Sequence, residues 1–176
     1  MHDRSSADRS SADRSSTDRI FRHVLVPTDG SDASVAAARL AYRLARAFDA
    51  KVDLLFVIDL LLCEELRRFD QRELDEIQRE LLEQGERVVG VLRDEGERQE
   101  ISVSSAVRRG DPFEEIVATA QQREVDLIVM GHVGRRPRAR VLLGSVAERV
   151  LEFAPCPVMV VKHEEDGAPR GGARRR

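Results

Sequence analysis

Residues 125–161 read VDLIVM-GHVGRRPRARVLLGS-VAERVLEFAPCPVMVV, and this stretch decides the fold. An unbroken apolar run, 125–130, has the character of a strand covered on both faces. It breaks at Gly131 into a loop rich in glycine and arginine, and a helical pattern opens at Gly144-Ser145. A buried strand that leads through a loop to a helix N-terminus is a common way to build an anion site. Backbone N–H groups and the helix dipole converge there on negative charge. The prolines on either side of Cys156 stop the helix, and 158–161 forms a last short strand.

Working back toward the N-terminus, the same alternation recurs. Residues 20–28 form a first strand around Val24, Leu25 and Val26, with pairing expected to fade at Pro27, which has no N–H to donate. Asp29-Gly30-Ser31 makes a turn into a helix over 32–48, whose face Ala37, Leu40, Ala41, Leu44, Phe48 follows the 3.6-residue period. Residues 50–58 are a second strand. The leucine-rich stretch from Leu60 to Cys63 fits a flap, an interface patch or the first turn of the next helix, which runs to about Glu97. Residues 101–107 alternate, as on a strand nearer a sheet edge. Asp111-Pro112-Phe113-Glu114 opens a helix: Asp caps, Pro suits the first helical position, and Glu stands at the capping-box spacing.

The order β-α-β-α-β-α-β-α-β predicts a doubly wound α/β domain with a five-stranded parallel sheet and helices on both faces. Ligands in such sheets bind beyond the carboxyl ends of the strands, where strand order reverses. If the order reverses between the first and fourth strands, the segment at 27–29 meets the loop that starts at Gly131.

Composition bounds what can happen there. The chain has 176 residues, 41% of them apolar and 35% charged, with a net charge of −3, which gives no overall pull toward nucleic acid or an anionic membrane. Aromatic residues are 4% of the chain and tryptophan is absent, so a base-stacking platform is not expected. No apolar run approaches a membrane span, and a cytoplasmic protein is expected, with Cys63 and Cys156 as free thiols. Residues 1–19 repeat DRSSA with a period of five. Their four Asp and four Arg cancel, and they lack the apolar surface needed to order themselves. Residues 163–176 are a second polar tail. The folded domain is expected over 20–162.

The chemistry resides in the loop. Gly131 and Gly134 allow close backbone approach or positive φ. Gly144 and Ser145 present N–H groups and a hydroxyl at a helix start. Arg135, Arg136, Arg138 and Arg140 either reach phosphate oxygens or form an ordinary solvated surface. GxxxxGK[ST] is absent, so a P-loop is excluded. TDGS at 28–31 lacks the second glycine of the SGGxDS-like loop that adenylate-forming enzymes of a related fold carry after their first strand. No Ser/His/Asp or Cys/His set comes from segments that meet at this site, and no two histidines share metal-ligand spacing. Asp29 has a plainer alternative as a helix cap.

The spacing G-x2-G-x9-G-[ST] at Gly131, Gly134, Gly144 and Ser145 comes with VPTDGS (26–31), FVID (56–59), RRGDPFEEI (108–116) and CPVMVVK (156–162). Together, in this order, they resemble the nucleotide-binding branch of the universal stress protein family over about 22–162. The resemblance implies a Rossmann-like domain of the adenine nucleotide alpha-hydrolase type that binds ATP with Mg2+. Asp29 would contact the ribose or, through the metal, the phosphates. Pro27, Thr28 and Val57 would line the adenine and ribose. Met130, Gly131, His132, Val133 and Gly134 would surround the ribose and α-phosphate, with Arg135 and Arg136 beyond them. Gly144, Ser145 and Val146 would hold the outer phosphates. It also implies a homodimer through residues 158–162. No residue set positions an attacking water, so at most slow hydrolysis is expected. The chain departs from the family where His132 and Val133 replace residues that are often small or polar, and where Pro137 enters the loop. A scaffold that has lost nucleotide, and an ATP-using enzyme modified on its own serines, are the competing readings.

Overall fold

The computed structural model describes residues 20–70, 72–134 and 142–162. The two tails lie outside these residues. So do Arg135, Arg136, Pro137, Arg138 and Arg140.

Among the described residues, five strands and five helices follow one another as β1 His23–Pro27, α1 Asp32–Phe48, β2 Lys51–Asp59, α2 Leu60–Asp70, α3 Leu74–Glu97, β3 Val103–Gly110, α4 Pro112–Gln122, β4 Leu127–Gly131, α5 Ser145–Phe153 and β5 Val158–Val161. All pairings are parallel, and the strand order is β3-β2-β1-β4-β5. Strand order therefore reverses between β1 and β4. The chain first winds outward from β1 to β3, then crosses back to β4 and β5.

Each face of the sheet has its own core. Val24, Val26, Val52, Leu54, Leu127 and Val129 point to the face covered by α1, α2 and α3. Leu25, Leu55, Ile128 and Met130 point to the face covered by α4 and α5. Odd and even strand residues thus go to opposite layers, as the pleat requires, and unbroken apolar triplets result. The alanines of α1, at 37, 38, 41 and 45, bring that helix close to the sheet. Tyr42 is fully buried and its hydroxyl donates to the Leu92 carbonyl at 2.7 Å, tying α1 to α3. Burial pushes the Tyr42 phenol well above its ordinary range.

The stretch after β2 is not the first turn of the next helix. It is a helix of its own, α2, whose first turn is capped by Asp59: one carboxylate oxygen accepts from the N–H groups of Leu61 and Leu62 at 2.9 and 3.2 Å. Cys63 turns into the core, while Leu61 and Phe69 stay exposed. The following helix starts at Leu74 because Glu73 adopts an extended conformation as its N-cap. No helix among the described residues is long and apolar enough to cross a membrane.

A buried polar cluster clamps the amino end of the sheet. Asp53 in β2 accepts from His23 Nε2 of β1 at 2.8 Å and from Arg123, beyond the end of α4, at 2.7 Å. It also accepts from the hydroxyl of Ser104 in β3. Burial pushes the Asp53 carboxyl up, but the hydrogen bonds from Ser104, Arg123 and His23 outweigh it and leave the group below the usual carboxylate range. A cavity of about 390 Å3 opens in front of this cluster, bordered also by Lys51 and Ser102.

Candidate functional site

At the opposite, carboxyl end, the β1 and β4 loops meet beside the switch in strand order. The turn after β1 is held by its own side chains. Thr28 is buried; its hydroxyl bonds Ser34 Oγ at 2.9 Å and accepts from Gly30 N–H at 3.2 Å. Asp29 Oδ1 accepts from Ser31 N–H at 3.0 Å, which turns the chain at once. Gly30 has φ 76°, a left-handed conformation that favours glycine. Ser31 caps α1, its side chain accepting from Ser34 N–H at 3.3 Å. The plainer alternative for Asp29 is therefore corrected: Ser31 has the capping role, and Asp29 stands two residues before it at the rim, half-buried.

The loop from β4 packs onto this turn: Gly131 is required by backbone contact, and Gly134 lies close against a side chain. A Cβ on Gly131 would stand 2.9 Å from the backbone of Ala33 and Ser34, where α1 begins. A Cβ on Gly134 would stand 2.6 Å from Asp29 Oδ2. Neither residue has positive φ, so close approach is the operative reason. The third glycine, Gly144, is the N-cap of α5 in an extended conformation. Its N–H donates to the His132 carbonyl at 2.7 Å, which seats the start of α5 on the 131–134 turn. The N–H of His132 in turn donates to Val161 of β5 at 2.9 Å.

Asp29 and Gly134 thus border one another, and Gly144 at the N-terminus of α5 rests on the turn from Gly131 to Gly134. Helices α1 and α4 begin under side-chain caps, from Ser31 and Asp111. Gly144 brings no side chain, and among the described residues none caps the first turn of α5, with Ser145 exposed beside it. Open N–H groups and the positive end of the helix dipole are the two requirements of an anion site. Among the described residues no cluster of His, Cys, Asp and Glu is fit to hold a metal ion by itself.

The structure brings Pro27, Thr28, Asp29, Gly131, His132, Val133, Gly134, Gly144 and Ser145 to this rim. Val57 lies on β2 two residues beyond Leu55, the partner of Pro27, and so reaches the same end of the sheet. Met130 and Val146 pack their side chains toward the core of the α4–α5 face, so their backbones are the parts nearest the crevice. Sequence reasoning missed the reach of Asp59, which caps α2 at the neighbouring strand end. An Asp followed by a leucine run was the available sign of a helix start.

Residues 20–162 match the model of the universal stress protein family. Universal stress protein MJ0531 of Methanocaldococcus jannaschii is 38% identical over 143 residues, 81% of this chain and 83% of that protein. The solved structure of protein MJ0577 from the same organism superposes with a TM-score of 0.73 at 30% identity, covering 82% of this chain and 98% of its own. A universal stress protein family member from Arabidopsis thaliana, solved with AMP bound, shares the fold with a TM-score of 0.58 at 18% identity, over 85% and 97% of the two chains. With its five-stranded parallel sheet, reversal of strand order between β1 and β4, and match over residues 20–162, this chain belongs to the universal stress protein family.

Proposed function

We propose that the crevice binds an adenine nucleotide, ATP with Mg2+ from solution, and that the protein acts as a nucleotide-dependent regulatory component. The observation that carries this reading is the uncapped N-terminus of α5, seated on the same glycine turn that borders Asp29. The helix end suits the phosphates. Asp29 suits the ribose hydroxyls, since a carboxylate accepts two hydrogen bonds from a diol. Pro27 and Val57 offer backbone atoms to the base at the neighbouring strand ends. Arg135 and Arg136, which follow the floor in sequence, add positive charge to the same loop. The reading is one of binding, with at most slow hydrolysis.

The same reading includes a homodimer through residues 158–162. Strand β5 is a sheet edge, and Val158, Met159, Val160 and Val161 are each only half-buried. Leu151 and Phe153 are exposed on the helix just before it. An apolar edge strand invites pairing with a second copy.

The direct test is to purify the protein without added ligand, denature it and identify any released nucleotide, then titrate the stripped protein with Mg-ATP. Released adenine nucleotide, or saturable binding with a rise in melting temperature, is expected. An empty crevice and no thermal shift favour the scaffold alternative. Light scattering tests the dimer: a mass near twice 19.8 kDa is expected, and Val160→Lys should give the single-chain mass.

A further inference from the structure

Ser34 interrupts the alanine-rich face of α1, among Ala33, Ala37 and Ala38, and is only 4% exposed. It touches both segments that meet at the proposed nucleotide site. Its hydroxyl bonds Thr28 Oγ1 at 2.9 Å and donates to the Ser31 carbonyl at 2.9 Å. Its backbone is part of what Gly131 rests on, since a Cβ there would stand 2.9 Å from Ser34 N.

The protons of this cluster have one consistent arrangement. A hydroxyl carries a single proton, and that of Ser34 goes to the Ser31 carbonyl, which can only accept. Thr28 must therefore donate to Ser34, and its oxygen accepts in turn from the Gly30 N–H at 3.2 Å. The relay runs from the Gly30 N–H through Thr28 and Ser34 to the Ser31 carbonyl. It encloses Asp29, whose Oδ1 accepts from the Ser31 N–H at 3.0 Å. The Thr28 N–H donates to the Leu55 carbonyl at 2.8 Å, so the turn is tied to β2 at its start and to α1 by the relay.

We propose that Ser34 is a positioning residue for the ribose: its hydroxyl fixes the turn that carries Asp29, and its backbone seats the loop that carries Gly134. The inference rests on the nucleotide reading above. The approach of Gly134 to Asp29 Oδ2, where a Cβ would stand at 2.6 Å, is then set from α1 and not by either loop alone. A carboxylate that receives a diol gains from such fixing, because hydrogen bonds weaken steeply when misaligned and a pre-ordered site loses less on binding.

The start of α1 does not depend on this hydroxyl. Ser31 Oγ holds the Ser34 N–H at 3.3 Å, and the Ser31 carbonyl also accepts from the Val35 N–H at 2.9 Å. Ser34→Ala therefore removes the relay and leaves the cap and the first helical bond in place.

The test is calorimetric titration of the full chain, wild type and Ser34→Ala, with Mg-ATP and with the magnesium complex of dideoxy-ATP, which lacks both ribose hydroxyls. Wild type should prefer ATP. The variant should bind ATP about fivefold more weakly, the size of one ordinary hydrogen bond, and bind dideoxy-ATP as wild type does, so that the preference shrinks by the same factor. Thr28→Val keeps the shape of Thr28 and removes the donor. It should shrink the preference too, and the double variant should lose less than the sum, because either change breaks the shared bond. If Ser34→Ala fails to fold, Thr28→Val reads the same bond from its other side. Equal weakening toward both ligands, unchanged affinity for both, or a wild type that binds both alike overturns the inference and leaves nucleotide binding intact. No binding of ATP by wild type overturns both.

Discussion

Two buried histidines sit at opposite ends of this sheet. His23, 5% exposed, lies at the amino end and bonds a carboxylate that also takes hydrogen bonds from Ser104 and Arg123. His132, 7% exposed, lies at the carboxyl end with Nδ1 unpartnered. Burial is equal and satisfaction is opposite. The difference separates a clamp, whose polar groups satisfy one another and hold β1, β2 and β3 together, from the end at which the nucleotide site is proposed. The same contrast runs through the backbone. On the amino side, Arg46 stands in the last turn of α1, and Arg123, just past α4, bonds Asp53. On the carboxyl side, the first turn of α5 is left without a side-chain cap.

The contrast predicts that variants at the two ends fail in different ways. The largest effect on folding should come from Asp53→Ala, which leaves His23 and Arg123 facing an empty site. Removing one member of a buried charged cluster costs about 3–5 kcal/mol, and the lower end applies because Arg123 keeps part of its hydration. Urea unfolding should report this loss, while nucleotide affinity of the folded protein stays within about twofold. Matching losses of stability and binding would erase the distinction between the ends.

At the carboxyl end, Gly134→Glu should weaken Mg-ATP binding at least about a hundredfold, equivalent to about 2.7 kcal/mol. It places a side chain and a negative charge against Asp29, where even a Cβ would stand 2.6 Å from the carboxylate. Its melting temperature should stay close to that of wild type, since Gly134 is exposed.

A smaller effect distinguishes the ends by pH. Asp53 is held below the usual carboxylate range in the folded protein. Its contribution to stability is therefore present above the unfolded-state carboxyl pKa and disappears as pH falls through the lower folded-state value. Urea midpoints measured through the acid range should show a limb that Asp53→Asn flattens. An unchanged limb would mean that the clamp adds no pH-dependent stability. Smallest is the cap next to the crevice. Ser31→Ala should cost about 1 kcal/mol in unfolding experiments by leaving the Ser34 N–H unpaired, with a modest loss of affinity because Asp29 is bonded to the same turn.

The carboxyl end was far more legible in sequence than the amino end. Gly131, Gly134, Gly144 and Ser145 form a local pattern, and apolar triplets such as Val24–Val26 identify strands covered on both faces. Those signals come from backbone geometry and burial, which act over a few residues. The clamp joins residues 23, 53, 104 and 123, each unremarkable in its own segment, and becomes a unit only when β1, β2 and β3 are aligned. The same holds for His132, whose burial follows from the pairing of β4 with β5 and from the seating of Gly144 on its carbonyl. The break between α2 and α3 was hidden for another reason. Leu60–Cys63 and the amphipathic run from Leu74 both favour helix, and α3 begins after Glu73 in an extended conformation.

The central claim is that Asp29 and the open end of α5 form a nucleotide site, and Asp29→Ala tests it most directly. Calorimetric titration of stripped wild type with Mg-ATP should give one site per chain. The variant should bind at least about tenfold more weakly, a change of about 1.4 kcal/mol, with its unfolding midpoint nearly unchanged. No binding by wild type, or the same affinity in both proteins, would contradict the account.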